Sequence, residues 1–202
     1  VSSIVLTADT LLATTPTTGA IEYDGAALYG TTSSLQRGVV TADQLIIQQS
    51  TYTLTSQTAA QKLFGVITNG QVTLTAGTYA FDCFFSLSSM SATSGTFGFA
   101  LGGAATFTQY WWADAQKGTA TLATATATQT TYNTTANTAL ATASVNTVGY
   151  AKIGGVLVVT AGGTLIPQVS LGVAAAAVVG VGSYFRIRPI GSTTVTYVGN
   201  WS

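Results

Sequence analysis

The sequence predicts an all-β protein, a sandwich or jelly roll, on three observations. Apolar side chains recur at every second position: Tyr79, Phe81, Cys83, Phe85 and Leu87 fall on one side of an extended chain, and Thr78, Ala80, Asp82, Phe84 and Ser86 on the other. Runs of this kind return at hairpin spacing, roughly eight to ten of them, divided by Gly, Ser, Thr and Asn clusters. Roughly one residue in five is Thr, whose branched side chain suits a half-exposed pleated face, and no long helical period occurs.

Composition narrows the classes of function. Apolar residues make up 47 % of the 202-residue chain, enough to bury a core, and charged residues only 6 %. The usual charged share is about 25 %, so this surface is built from Thr, Ser, Gln and Asn. A formal net charge of zero leaves no electrostatic footprint for nucleic acid and little repulsion between copies. Self-association in a closed, symmetric homo-oligomer is the expected outlet. There is no histidine, which removes Ser-His-Asp, Cys-His and His-ligated metal chemistry together. No phosphate-binding or dinucleotide-binding glycine motif occurs, and no cofactor is expected. The single cysteine, Cys83, lies within the apolar face and reads as a small buried hydrophobe. The longest apolar run, Leu171 to Gly182, falls short of the roughly 20 residues that span a bilayer, so no membrane insertion is expected. The start, Val-Ser-Ser-Ile-Val-Leu, lacks the basic and apolar regions of a signal peptide and suggests a processed chain or a fragment.

Residues 1–49 read as an arm or linker with short strands, and residues 50–202 as the head domain. Within the arm, Ile4-Val5-Leu6 and Leu11-Leu12 are short apolar runs, and Ile21 to Tyr29 is a hairpin turning at Asp24-Gly25. These strands are too few to bury a core alone, which suits an arm packed along a neighbouring subunit. Residues 41–50 fit either a helical turn or a strand. The segment from Ser50 opens the head, and residues 58–64 fit a short helix or an irregular strand. Asn69-Gly70 predicts a type I′ turn between Phe64–Ile67 and Val72–Thr75. Residues 70–101 form the expected central hairpin, its second strand carrying Phe97, Phe99 and Leu101. Thr106 to Asp114 is a strand. The Ala/Thr alternation from Thr119 to Thr130 specifies register weakly and suits a sheet edge or a seam between subunits. Leu140 to Val148 is a further strand. Tyr150 to Leu171 reads as a hairpin turning at Gly162-Gly163, Leu171 to Val181 as an apolar strand, and Thr194 to Ser202 as a last short one. Between them, Tyr184, Arg186 and Arg188 alternate with Phe185 and Ile187.

Three phrases carry a family resemblance. They are Thr73 to Gly95 with its Gly77-Thr-Tyr-Ala-Phe-Asp-Cys-Phe-Phe85 core, Ile21-Glu-Tyr-Asp-Gly25 with Arg37-Gly-Val-Val40, and Gly163-Thr-Leu-Ile-Pro-Gln-Val-Ser170 with Gly182-Ser-Tyr-Phe-Arg-Ile187. Together they resemble the C-terminal head domains of phage tail-fibre and virion appendage proteins. The resemblance implies a trimeric jelly roll of the tumour-necrosis-factor-like kind, a virion and extracellular location, and a structural, non-enzymatic role in host attachment. The implied partners are further copies of the chain, other virion proteins, and a host-surface glycan or protein. The alternative expectation is a capsid decoration or filament subunit whose arm adds a strand to a neighbour.

The residues offer few sites. Tyr110, Trp111 and Trp112 are the candidate ligand or subunit-interface residues, because in a strand Trp111 faces one way and its two neighbours the other. Arg186 and Arg188 share a strand face and are expected to be solvated or ion-paired. Asp82 and Asp114 form the only carboxylate pair within the expected sheet and read as solvated or Arg-paired groups. Glu22 and Asp24 place two carboxylates in one turn, and an ordinary Asp-Gly turn is favoured there over a calcium site. Segments 88–95, 103–118 and 130–138 are the expected display loops.

Overall fold

The computed structural model describes residues 6, 15, 17–32, 36–40, 42–118, 126–133, 138–141 and 146–198, with backbone alone for 126–133 and 138–141. It is all-β, with no helix among the described residues and every strand pairing antiparallel. A small sheet orders β1 (Ile21–Tyr23), β2 (Leu28–Thr31) and β3 (Arg37–Val40). Two larger sheets make a sandwich. Their strands are β4 (Gln44–Ile47), β5 (Tyr52–Thr53), β6 (Gln61–Lys62), β7 (Val72–Leu74), β8 (Gly77–Ser88), β9 (Phe97–Gly102), β10 (Thr106–Gly118), β11 (Thr126–Asn133), β12 (Thr138–Ala141), β13 (Val148–Ala161), β14 (Gly163–Leu171), β15 (Val178–Val179) and β16 (Tyr184–Gly191).

One layer runs β11-β10-β13-β8, then continues along the first part of β8 as β16-β4 and along its end as β15-β5. The other runs β12-β9-β14, with β6 and β7 both on the far side of β14. The chain crosses between layers from β8 to β9, β9 to β10, β11 to β12, β12 to β13 and β13 to β14, while β10 and β11 pair within one layer, a connectivity that suits a jelly roll.

The core fills the space between layers. β8 buries Tyr79, Phe81, Cys83, Phe85 and Leu87, as period two requires. Phe85 meets Phe97 at 5.8 Å between ring centres and Phe99 at 6.4 Å, and Phe99 meets the Trp111 ring edge-on at 5.5 Å. Each such ring contributes about 1.5–3 kcal/mol by leaving water. Cys83 is fully buried in this cluster, as expected. Gln109, also buried, accepts the Trp111 indole N–H at 3.3 Å, so the large ring carries its polar atom into the core with a partner.

Several expected pairings are corrected. β8 and β9 are strands where the alternation placed them, but they form no hairpin. β8 pairs with β13, β15 and β16, while β9 pairs with β12 and β14, so the two face each other across the core. Likewise β13 and β14 lie in opposite layers. At their junction a Cβ on Gly162 would stand 2.8 Å from the Leu74 carbonyl oxygen, and one on Gly163 2.7 Å from the Ala105 nitrogen. The glycines therefore make a tight corner between sheets. Asn69-Gly70 is no type I′ turn, because Gly70 has φ of 59° while Asn69 does not enter the left-handed region. The Gly70 N–H instead donates to Ile67 at 3.2 Å, and β6 and β7 pair separately with β14. Of the Leu171–Val181 run, Leu171 ends β14 and Val178–Val179 form β15, with irregular chain between them. Of the expected Leu140–Val148 strand, Leu140 and Ala141 belong to β12, Val148 opens β13, and residues 142–145 lie outside the described residues. Residues 194–198 form no strand.

Within residues 41–50 the strand alternative holds for Gln44–Ile47, which is β4 and pairs with β16, so among the described residues the large sheet begins at Gln44, before residue 50. The Ile21–Tyr29 hairpin is present with register Ile21↔Gly30 and Tyr23↔Leu28, closing through residues 24–27. β11 is the outermost strand of its sheet, at the edge expected of the Ala/Thr tract; residues 119–125 lie outside the described residues. Of the expected display loops, 88–95 connects β8 to β9, whereas most of 103–118 is β10 and residues 130–133 belong to β11.

Candidate functional site

The outward face of the larger sheet is where the sequence-predicted residues gather. Register sets them in cross-strand rows: Tyr110–Val156–Ala80–Arg188, then Trp112–Gly154–Asp82–Arg186, then Asp114–Lys152–Phe84–Tyr184. Trp111 is 1 % exposed and belongs to the core, while Tyr110 and Trp112 are each 44 % exposed. Alternation on β10 thus splits the aromatic triplet, and only Tyr110 and Trp112 remain interface or ligand candidates. A Cβ on Gly154 would sit 3.1 Å from the Trp112 ring. The glycine leaves room for the indole beside β13.

Near them lies an aromatic group that the triplet had overshadowed. Phe84 meets Tyr150 at 5.9 Å and Tyr184 at 6.4 Å between ring centres, and all three rings are half-buried. The sequence signal was present, since Phe84 is the one aromatic on the polar side of β8. Its neighbours across the sheet were hidden until the register was known.

The centre of the face is charged. Arg186 Nε donates to both Asp82 oxygens at 3.0 and 2.9 Å, its Nη2 donates to Oδ1 at 2.6 Å, and Asp43 stands 3.9 Å from Nη1. The hydrogen bond and charge of Asp82 hold the Arg186 guanidinium above its ordinary pKa. Arg186 is therefore ion-paired, as expected. Arg188 has no ion pair among the described residues and borders, with Ala80, Asp82 and Arg186, a recess of about 130 Å³. Asp82 is spent on Arg186, and Asp114 lies two strands away opposite Lys152 and Phe84, so the two carboxylates share no cleft.

The Glu22–Asp24 turn serves the fold. Glu22 takes a forked bond from Arg37 at 2.7 and 3.1 Å. Asp24 accepts four hydrogen bonds: from the Ala26 and Ala27 N–H groups at 2.8 and 2.7 Å, from the Tyr29 hydroxyl at 2.9 Å, and from the Ser192 N–H at 3.0 Å. Burial alone raises its pKa, but these four donors outweigh burial and leave it lowered. Burial and the adjacent carboxylate push the Tyr29 hydroxyl far up. Ser192 follows β16, so this carboxylate ties the small sheet to the end of the sandwich, a junction that adjacency in sequence could not reveal.

A second unexpected feature flanks β4. Leu45, Ile47, Val66 and Ile67 are exposed by 42–52 % and, with Ile46, Gln49 and Ser50, line a trough of about 540 Å³. Its far wall is fixed by buried Gln48, which accepts the Gly65 N–H at 3.1 Å and donates to the Ser50 carbonyl at 2.7 Å.

Burial pushes the Cys83 thiol well above its ordinary pKa, with the Asp82 charge adding to the effect, so this cysteine is unsuited to nucleophilic work. Among the described residues no three metal-ligating acids or cysteines gather, and no helix is long and apolar enough to cross a membrane. The chain matches no protein-family model and no curated protein.

Proposed function

We propose that the protein is a non-enzymatic virion component, the head of a tail fibre or similar appendage, which assembles as a homotrimer and displays loops for attachment to a host surface. One observation carries the reading: the outward face of a sheet whose other side fills the core still presents Tyr110, Trp112, Phe84, Tyr150 and Tyr184 around a paired Asp82–Arg186 centre. Two exposed rings, Tyr110 and Trp112, beside three half-buried ones are the composition of an interface. The charges on the face are of both signs, Asp82 and Asp114 against Lys152, Arg186 and Arg188, which suits a second copy of the same surface better than a partner of one sign. The resemblance of the Thr73–Gly95, Ile21–Gly25 and Gly163–Ser170 phrases to appendage heads supplies the virion context.

In this role the mechanism is rigid display. Three copies present the Ser89–Thr96 loop and its neighbours at fixed spacing, and weak contacts with a surface glycan or protein multiply. The test is cell binding by labelled protein, wild type against Phe84→Lys. Loss of the trimer in the variant together with at least a 100-fold drop in binding to a susceptible bacterium supports the reading. A monomeric variant that binds as well as wild type contradicts it.

A further inference from the structure

We infer that the trough beside β4 is the docking site for the N-terminal segment, residues 1–14, of a neighbouring copy, which adds to the free edge of β4 as an extra strand. The inference rests on the self-assembly proposed above and names where one copy grips the next.

Three features of the acceptor point to a strand. Among the described residues β4 pairs with β16 alone, so its other edge offers unpaired backbone N–H and C=O groups. Alongside that edge lies an apolar concavity, where side chains of an added strand can settle. Its rigidity is provided by the Gln48 hydrogen bonds to Gly65 and Ser50. An open edge with an adjoining apolar trough is the geometry of strand addition.

The occupant follows from charge and from length. Among the described residues the trough is lined by Leu45, Ile46, Ile47, Val66 and Ile67, with Gln49 and Ser50 as polar members and no ionisable side chain. The segment 1–14 is its match: Ile4-Val5-Leu6 and Leu11-Leu12 separated by Thr, Ala and a single acid, Asp9, with no base. Leu6 keeps 39 % of its surface exposed in the single chain, so it and the trough both retain apolar surface for a neighbour to cover. Extended at about 3.3 Å per residue, a segment of this length spans roughly 45 Å, more than the 4 residues of β4 require of a pairing strand.

The test uses the full chain with the photo-crosslinking residue benzoylphenylalanine in place of Val66, mixed with unsubstituted chain grown in nitrogen-15. Illumination followed by mass spectrometry of the proteolysed product is expected to give crosslinks between light residue 66 and heavy peptides from residues 1–14. The yield should fall at least tenfold when Ile47→Lys is added to the acceptor. Crosslinks confined to light–light pairs at every mixing ratio place the segment on its own chain and overturn the inference. So do crosslinks to any other segment, or none at all. Solution mass measured on the same sample separates the two claims. An intact trimer without these crosslinks sinks strand addition alone, whereas a monomer sinks the assembly reading with it.

Discussion

Asp24 shows how one side chain can decide the relation between two parts of a chain. Its carboxylate gathers donors from its own turn, from Tyr29 and from Ser192, a residue far along the sequence. Replacing it by Ala strands these donors in a half-buried place, at an expected cost on the order of 2–3 kcal/mol in a urea unfolding experiment. The pH dependence has a definite sign. Asp24 has a lowered pKa in the folded protein, so its contribution is fully present above the unfolded value of about 3.9 and disappears as pH falls through the folded one. Wild type should lose stability over that acid window, and Asp24→Asn should lose less over the same window. A variant whose acid profile parallels wild type would show that Asp24 contributes nothing to it. The sequence showed an Asp-Gly turn and two carboxylates; it could not show that the second carboxylate was claimed by a backbone N–H near the other end of the chain.

Elements were legible to the extent that one side of each is buried. Alternation located β8, β9, β10 and β16 and sorted Trp111 from Tyr110 and Trp112, because a period of two reports which side chains leave water. It says nothing about which strand lies alongside. Hence β8 with β9, and β13 with β14, were expected as hairpins and are instead partners across the core or around a corner. Val173 to Ala177 misled for a related reason: small apolar residues look like a strand, but most of this run is exposed irregular chain. The trough beside β4 was illegible because its two walls, at residues 45–50 and 66–67, are brought together by tertiary contacts such as the Gln48 bond to Gly65. Register makes its own prediction at β13. A Cβ on Gly155 would stand 2.4 Å from the Tyr110 carbonyl oxygen and 2.5 Å from the Trp111 Cβ, whereas one on Gly38 in β3 meets nothing within 4 Å. Thermal unfolding should therefore show Gly155→Ala destabilised by about 1–3 kcal/mol and Gly38→Ala by less than about 0.5 kcal/mol. Equal melting points would contradict the β10–β13 register.

At the scale of the molecule, the sandwich has two differently finished sides. The inner surfaces of both layers close on one aromatic core, while the outward face of the larger sheet keeps five aromatic side chains, Tyr110, Trp112, Phe84, Tyr150 and Tyr184, only partly covered. With a formal net charge of zero and 6 % charged residues, nothing in the long-range electrostatics opposes bringing copies together through that face. In the proposed trimer this face closes on its neighbours, and both loop display and strand addition depend on that closure. Sedimentation equilibrium of the full chain tests it most directly. The proposed trimer should sediment as a single species at three times the 20.5 kDa of one chain, which Phe84→Lys converts toward one chain mass. A wild-type protein that sediments at 20.5 kDa across the accessible concentration range would contradict it.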